Sequence, residues 1–129
     1  MKIGKFRLVA AGALTMVALV AGAVPAYAGQ DIPPTYSSDS GQGAGGKFVS
    51  SGDVVHACDL KLDGMRARVE LWRSGIGRPG FVEDTQTDGK CVTKTVDVPE
   101  GAEVFLRVCR FRASDSTLHN CRNSRPGIA

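Results

Sequence analysis

The sequence has little of what catalytic sites in small proteins are built from. Only two of its 129 residues are histidine, one is tryptophan, and 6% are aromatic. It has no C-x-x-C pair, which counts against a zinc site, and no G-x-S-x-G elbow, which counts against an α/β-hydrolase. The glycine-rich stretch 41–46 is not followed by Lys-Ser/Thr, as a phosphate-binding loop would be. We therefore expect no metal, no cofactor and no catalytic set.

Long hydrophobic runs are also scarce, because the only one lies at the N-terminus. Basic residues at positions 2, 5 and 7 precede the apolar run Leu8–Val24, and the small-residue triplet Ala26-Tyr27-Ala28 follows. This order is typical of a secretory signal peptide, so we predict that residues 1–28 are a signal peptide removed after Ala28. The predicted product is secreted and extracellular, with no membrane segment after cleavage.

The apparent excess of positive charge comes from that segment. The chain has 16 Lys and Arg against 13 Asp and Glu, but three of the basic residues and none of the acidic ones lie in residues 1–28. Thirteen of each sign therefore remain in the mature chain. This balance gives no reason to expect nucleic acid as a partner.

The four cysteines all lie in the exported portion, at Cys58, Cys91, Cys109 and Cys121. An even number in a small secreted chain predicts two disulfides, and three pairings are possible. We favour Cys58–Cys91 with Cys109–Cys121, because short loops close with little loss of entropy.

The mature chain divides into a lead-in and a domain. Residues 29–46 are rich in Gly, Ser and Pro and have few large apolar side chains, which predicts a flexible segment. Residues 47–129 show no helical period, but carry short apolar alternations separated by turn signals. We predict an all-β domain with two disulfides, either a small antiparallel β-sandwich or a partly open barrel of about six short strands.

Two hairpins are expected within this domain. Asp63-Gly64 suits a two-residue type I′ turn and predicts that the two halves of residues 54–73 pair with each other. That register places His56 and Cys58 on an apolar face with Leu71, and places Glu70 on a charged, solvated face. The turn at residues 99–101 predicts a second hairpin between residues 91–98 and 102–112.

The two histidines suggest different roles. The hairpin register favours core packing for His56. His119 lies in a loop near several arginines. A nuclease hypothesis would combine it with Glu70 or Glu83 as the carboxylate and with Arg107 or Arg110 as the phosphate holder.

Trp72 is the only tryptophan, and two interpretations remain open for it. Burial is favoured, because a small core usually needs its large aromatic residues for packing. The alternative is that Trp72 is exposed and anchors a partner. The expected binding surface is built from the loop 74–80 and the arginine-rich C-terminal part. Its candidate residues are Trp72, Arg73, Arg78, Arg110, Arg112 and Arg122.

The basic start, the Ala/Gly/Val-rich signal, the Cys-Asp-x-x-x-Asp-Gly pattern from Cys58 and the stretch Leu106-Arg107-Val108-Cys109 together resemble small exported proteins of actinobacteria. Leu71-Trp72-Arg73 is similar to a stretch in small secreted β-sandwich inhibitors with two disulfides, although the cysteine spacing differs. Neither resemblance implies an activity. The sequence favours a non-enzymatic binding protein, for example an inhibitor, that recognises an extracellular protein or a small ligand. A small secreted hydrolase, in the form of a nuclease, is the alternative.

Overall fold

The structure is a computed structural model that describes residues 29–129. The predicted signal peptide, residues 1–28, lies outside this part of the chain. Residues 29–129 form nine β-strands and no helix. In chain order the strands are β1 (Ile32–Tyr36), β2 (Ala44–Val49), β3 (Val54–Asp59), β4 (Arg66–Arg73), β5 (Gly77–Asp84), β6 (Val92–Thr95), β7 (Glu103–Arg112), β8 (Thr117–Asn123) and β9 (Gly127–Ile128).

The strands form two antiparallel sheets packed face to face. One sheet has four strands in the order β1-β2-β3-β6. The other has five, in the order β5-β4-β7-β8, with β9 also paired to β7. The sheets do not close into a barrel. The predicted all-β sandwich is therefore confirmed, with nine strands in place of about six.

The hydrophobic core lies between the two sheets. Alternate residues of each strand point into it, as a sheet with one covered face requires. The large side chains that fill it are almost completely buried: Ile32, Phe48, Val55, Val69, Leu71, Val104, Leu106 and Val108. Burying a side chain of this size contributes about 1.5–3 kcal/mol before entropic costs, so this layer is the main source of stability.

The predicted hairpin over residues 54–73 does not form. Strand β3 pairs with β2 and β6, whereas β4 pairs with β5 and β7. The loop 60–65 crosses from one sheet to the other. Gly64 does have the positive φ of 75° that a turn requires, so the turn lies where the sequence predicts it, but the strands on either side of it have other partners.

This difference reverses the faces of β3. Val55 and Ala57 are buried, and the alternate residues His56 and Cys58 lie on the outer face. The predicted core position of His56 is therefore wrong. Leu60 and Leu62, which the hairpin would have buried, are 49% and 90% exposed.

The second predicted hairpin is wrong for the same reason. Strand β6 pairs with β3 in the four-stranded sheet, whereas β7 lies at the centre of the five-stranded sheet. Residues 96–102 connect the sheets. The predicted apolar face of β7 is correct, since Val104, Leu106 and Val108 are fully buried.

Residues 29–46, predicted to be a flexible lead-in, belong to the domain. They contain β1 and the start of β2, and Ile32 and Ala44 are buried in the core. Gly46 has a packing role, because a Cβ atom at this position would lie 2.7 Å from Val69 of the opposite sheet. The small residues of this segment allow the two sheets to approach closely.

Both predicted disulfides are confirmed. Cys58 is bonded to Cys91 and Cys109 to Cys121, and the described residues contain no free cysteine. The first bond joins β3 to the residue that precedes β6, and the second joins β7 to β8. Two disulfides in a domain of this size are typical of proteins from oxidising, extracellular compartments.

Candidate binding surface

The outer face of the five-stranded sheet has an unusual composition for a solvent-facing layer. On its two central strands, Glu70 lies opposite Arg107 and Trp72 lies opposite Phe105. Directly opposed residues of antiparallel strands point to the same side of a sheet. Charged and aromatic side chains therefore meet in the middle of this face.

Glu70 is the centre of this group. Its side chain is only 2% exposed, although it lies on the side of the sheet away from the core. One carboxylate oxygen accepts a hydrogen bond from Nε1 of the Trp72 indole at 3.3 Å, and the other accepts one from the Arg78 guanidinium. Arg107 lies farther away, with Nη1 4.0 Å from Oε1 of Glu70. A buried carboxylate needs such partners, and here they also fix the indole and one arginine in place.

A cleft of about 440 Å³ lies beside this group. Its lining residues are Trp72, Phe105, Arg107, Cys121 and Asn123. The Trp72 and Phe105 rings are nearly parallel, with 10° between their planes and 6.3 Å between their centroids. Trp72 and Phe105 supply the apolar part of the lining and Arg107 and Asn123 the polar part, and the volume lies within the usual range for ligand pockets.

A second depression, of about 270 Å³, adjoins the first at Asn123, which lines both. It lies between β1 and the end of β8. Pro33 and Tyr36 supply part of its apolar lining, and Arg122 and Arg125 supply its charge. Asn123 is opposite Arg107 and points outward, whereas Arg122 is opposite the buried Val108 and points to the core-facing side, so the two depressions lie on different sides of β8.

The other flank of the same face carries Arg68. Its guanidinium carbon lies 3.9 Å from the centroid of the Phe81 ring and 5.2 Å from that of Phe111. It also forms an ion pair with Glu83, at 3.5 Å. The Arg68 side chain is only 15% exposed, so most of it contacts the neighbouring rings and little of it is available to bind a ligand.

The structure brings together only some of the predicted surface residues. Trp72 and Arg78 meet at Glu70, and Trp72 is half-buried, between the two outcomes that the sequence left open. Arg110 and Arg112 lie at the opposite end of β7, where they pair with Asp63 and Asp115.

The remaining two predicted residues lie at the margins. Arg122 lines the second depression. Arg73 is opposite Val104, whose side chain is buried, so it shares the core-facing side at the end of β4. Most of the predicted loop surface 74–80 is the start of β5.

The sequence prediction missed Phe105 and Asn123 and gave Glu70 a solvated role. Phe105 and Arg107 alternate with the buried Leu106, so their outward direction could be predicted from the pattern of β7. Their closeness to Trp72 could not be, because it depends on the pairing of β7 with β4. Asn123 carries no signal in the sequence.

The groups proposed for a nuclease are not assembled. Glu70 lies beside Arg107, but His119 lies beside Arg110, three positions farther along β7. Arg110 is opposite Ala67, whose side chain is buried, so it points to the other side of the sheet from Arg107. Nε2 of His119 is 2.6 Å from the Thr117 hydroxyl oxygen.

His56 lies on the outer face of the other sheet. Partial burial lowers its pKa, and the adjacent Lys47 acts in the same direction. The described residues show no carboxylate hydrogen-bonded to it, so it lacks the partner that a catalytic base uses.

Within residues 29–129, no three His, Cys, Asp or Glu side chains converge as a metal site would require. The same part of the chain has no helix with the length and apolar character needed to cross a membrane. Comparisons with known protein families, with curated proteins and with solved structures found no match for this chain.

Proposed function

We propose that this chain is a secreted, non-enzymatic binding protein whose ligand docks on the outer face of the five-stranded sheet. The observation that supports this most directly is the cleft at Trp72, Phe105 and Arg107. Tryptophan and arginine are among the residues most enriched at the energetic centres of interfaces. Both side chains lie here beside the buried Glu70, whose carboxylate accepts a hydrogen bond from the Trp72 indole.

Rigidity supports the same function. The cleft lies on two central strands, and Cys109–Cys121 ties its edge strand β8 to β7. A side chain already held in its bound position loses little conformational entropy when a ligand arrives. The hydrogen bond from Trp72 to Glu70 holds the indole in this way.

Secretion is tested by expressing the full-length sequence and measuring the mass of the product recovered from the medium. We expect a chain that begins at Gly29 and lacks four hydrogens relative to its reduced form. A product that begins at Met1, or that remains in the cells, contradicts this part of the proposal.

Binding is tested by immobilising the recovered protein and identifying what it retains from culture medium. The test variant is Trp72→Ala, and the matched control is Leu62→Ala, which removes a highly exposed apolar side chain from a loop outside the cleft. We expect wild type and control to retain the same molecules and Trp72→Ala to lose them. Equal retention by all three proteins removes the cleft as the binding site.

A further inference from the structure

The charge and shape of the cleft indicate the class of its ligand. We propose that the cleft binds an acidic saccharide, with one uronic-acid ring on the Trp72–Phe105 pair and its carboxylate on Arg107. This proposal rests on the proposed function, since it assigns a ligand to the same face. It is carried by the position of Arg107 and by the aromatic pair that lines the cleft.

Arg107 is the most exposed arginine on this face and is available to bind an anion. Both oxygens of Glu70 are already used, one by the Trp72 indole and one by Arg78. Arg107 is left at 4.0 Å from Glu70, its side chain is 41% exposed, and it makes no side-chain hydrogen bond to residues 29–129. Its planar guanidinium can hold a carboxylate through two parallel hydrogen bonds.

The balance of charge on the whole face favours an anion as well. Four arginines, at positions 66, 68, 78 and 107, outnumber three glutamates, at positions 70, 83 and 103. Complementary charge of this kind raises the rate of encounter and excludes ligands of the wrong sign. A cationic or strongly basic ligand is therefore disfavoured.

The floor of the cleft favours a ring over a simple anion. Trp72 and Phe105 are stacked nearly parallel and both line the cleft, so the C–H face of a sugar ring can pack on the part of this pair that faces the cleft. The side-chain amide of Asn123 lines the cleft and has two hydrogen-bond donors and one acceptor oxygen, which are the groups that ring hydroxyls require. A small inorganic anion would leave the aromatic floor without a contact.

A peptide and a nucleic acid fit this face less well. An extended peptide docks best where main-chain groups are unpaired, but β4 and β7 under the cleft are paired on both sides. Binders of nucleic acid usually carry a strong basic excess over the whole domain, whereas the described residues and the predicted mature chain have equal numbers of both signs.

The first experiment measures binding of hexagalacturonate and of its fully methyl-esterified form by titration calorimetry. The two probes share one sugar skeleton and differ in charge. We expect the acid to bind, its affinity to fall as salt is added, and the ester to bind at least about tenfold more weakly, because one charge-assisted bidentate contact is lost. Equal affinity for both probes overturns the assignment of Arg107 to a carboxylate.

The variants give the second readout. Arg107→Gln should weaken binding of the acid at least about tenfold, whereas Arg112→Gln, on the same strand but paired with Asp115 away from the cleft, should leave it unchanged. If Arg107→Gln unfolds more easily, Asn123→Ala provides the same test at an exposed residue. Unchanged affinity in both cleft variants overturns the proposal.

The outcomes also separate this inference from the proposed function. If neither uronic-acid probe binds while retention from culture medium still depends on Trp72, the ligand class is wrong and the binding function stands. Tighter binding of an oligodeoxythymidylate than of hexagalacturonate assigns the face to nucleic acid and overturns the proposal.

Discussion

The main-chain N–H of Asp59 donates a hydrogen bond to the carboxylate of Asp84, with 2.8 Å between the nitrogen and Oδ2. The two residues end strands of different sheets, β3 and β5, so this bond joins the sheets directly. Both residues are almost completely buried. The carboxylate of Asp59 in turn accepts hydrogen bonds from the Lys61 amide and the Thr87 hydroxyl. One end of the sandwich is thus closed by a polar cluster.

This cluster makes part of the stability depend on pH. Burial raises the pKa of Asp59 above its ordinary value of 3.8, and the charges of Asp84 and Asp63 act in the same direction, against the hydrogen bonds from Lys61 and Thr87. The folded protein therefore binds this proton more tightly than the unfolded chain. The contribution of Asp59 to stability is fully present below 3.8 and is lost as the pH rises through its raised value in the folded protein.

The variant Asp59→Asn isolates this contribution. We expect its free energy of unfolding, relative to that of wild type, to be higher at about pH 7 than at about pH 3, since the amide that replaces the carboxyl group does not titrate. Urea unfolding at both pH values measures the difference. A relative stability that changes in the opposite direction would show that Asp59 is not the group responsible.

Glu70→Gln should destabilise the fold, because it leaves the arginine nitrogens around it without their carboxylate. Breaking a fully buried pair from one side costs about 3–5 kcal/mol. Arg78 is 36% exposed and can turn to water, so we expect a loss of about 2 kcal/mol. Glu83→Gln is the control, since Glu83 is 21% exposed and its loss should cost less than about 1 kcal/mol. Equal costs, measured by chemical unfolding, would show that Glu70 has no special role.

Gly46→Ala should destabilise the protein without removing any contact. The added methyl group would lie 2.7 and 2.8 Å from the two methyls of Val69, and 3.2 Å from Val108. Overpacking of this kind costs about 1–3 kcal/mol. Gly41→Ala is the matched control in the same segment, because its nearest neighbour is the flexible end of Lys61 at 3.2 Å. Thermal unfolding distinguishes them, and an equal effect would contradict a close approach of the sheets at Gly46.

Removing the longer disulfide should cost about 2–5 kcal/mol, as expected for a small domain. In the variant Cys58→Ala with Cys91→Ala, the unfolded chain regains the freedom of a loop with a sequence separation of 33. Urea unfolding of both proteins with and without reductant provides the control. Reductant opens every disulfide in both proteins, so under reducing conditions the stability of wild type should lie within about 1 kcal/mol of that of the variant. A gap that persists under reduction would assign the loss to packing.

Local features of this fold could be predicted from the sequence. The apolar alternation of β7, the turn at Gly64 and the pairing of the cysteines all depend on residues close together or on simple loop entropy. The position of each strand in a sheet does not. In a hairpin closed at Asp63-Gly64, Ala57 would share a face with Glu70, and the apolar face of β3 would point away from that of β4. Placing β3 and β4 in different sheets lets both apolar faces meet in one core.

The same limitation explains the errors at the surface. Gly45 and Gly46 indicate flexibility when only their neighbours in the sequence are considered, whereas Gly46 packs against Val69. Glu70 follows the alternation of a solvated position but is buried by Arg78 and Trp72. In both cases burial depends on a residue that is distant in the sequence or lies on an adjacent strand. The periodicity of a single strand contains no information about such contacts.

The position of the disulfides also determines how the protein responds to a protease. The loop 60–65, where Leu62 is 90% exposed, lies between Cys58 and Cys91, and the turn 113–116 lies between Cys109 and Cys121. A single cut in either place leaves the two fragments covalently joined and the sheets in position. The nicked protein would therefore migrate as one species on a non-reducing gel, separate only after reduction, and keep the proposed binding face intact.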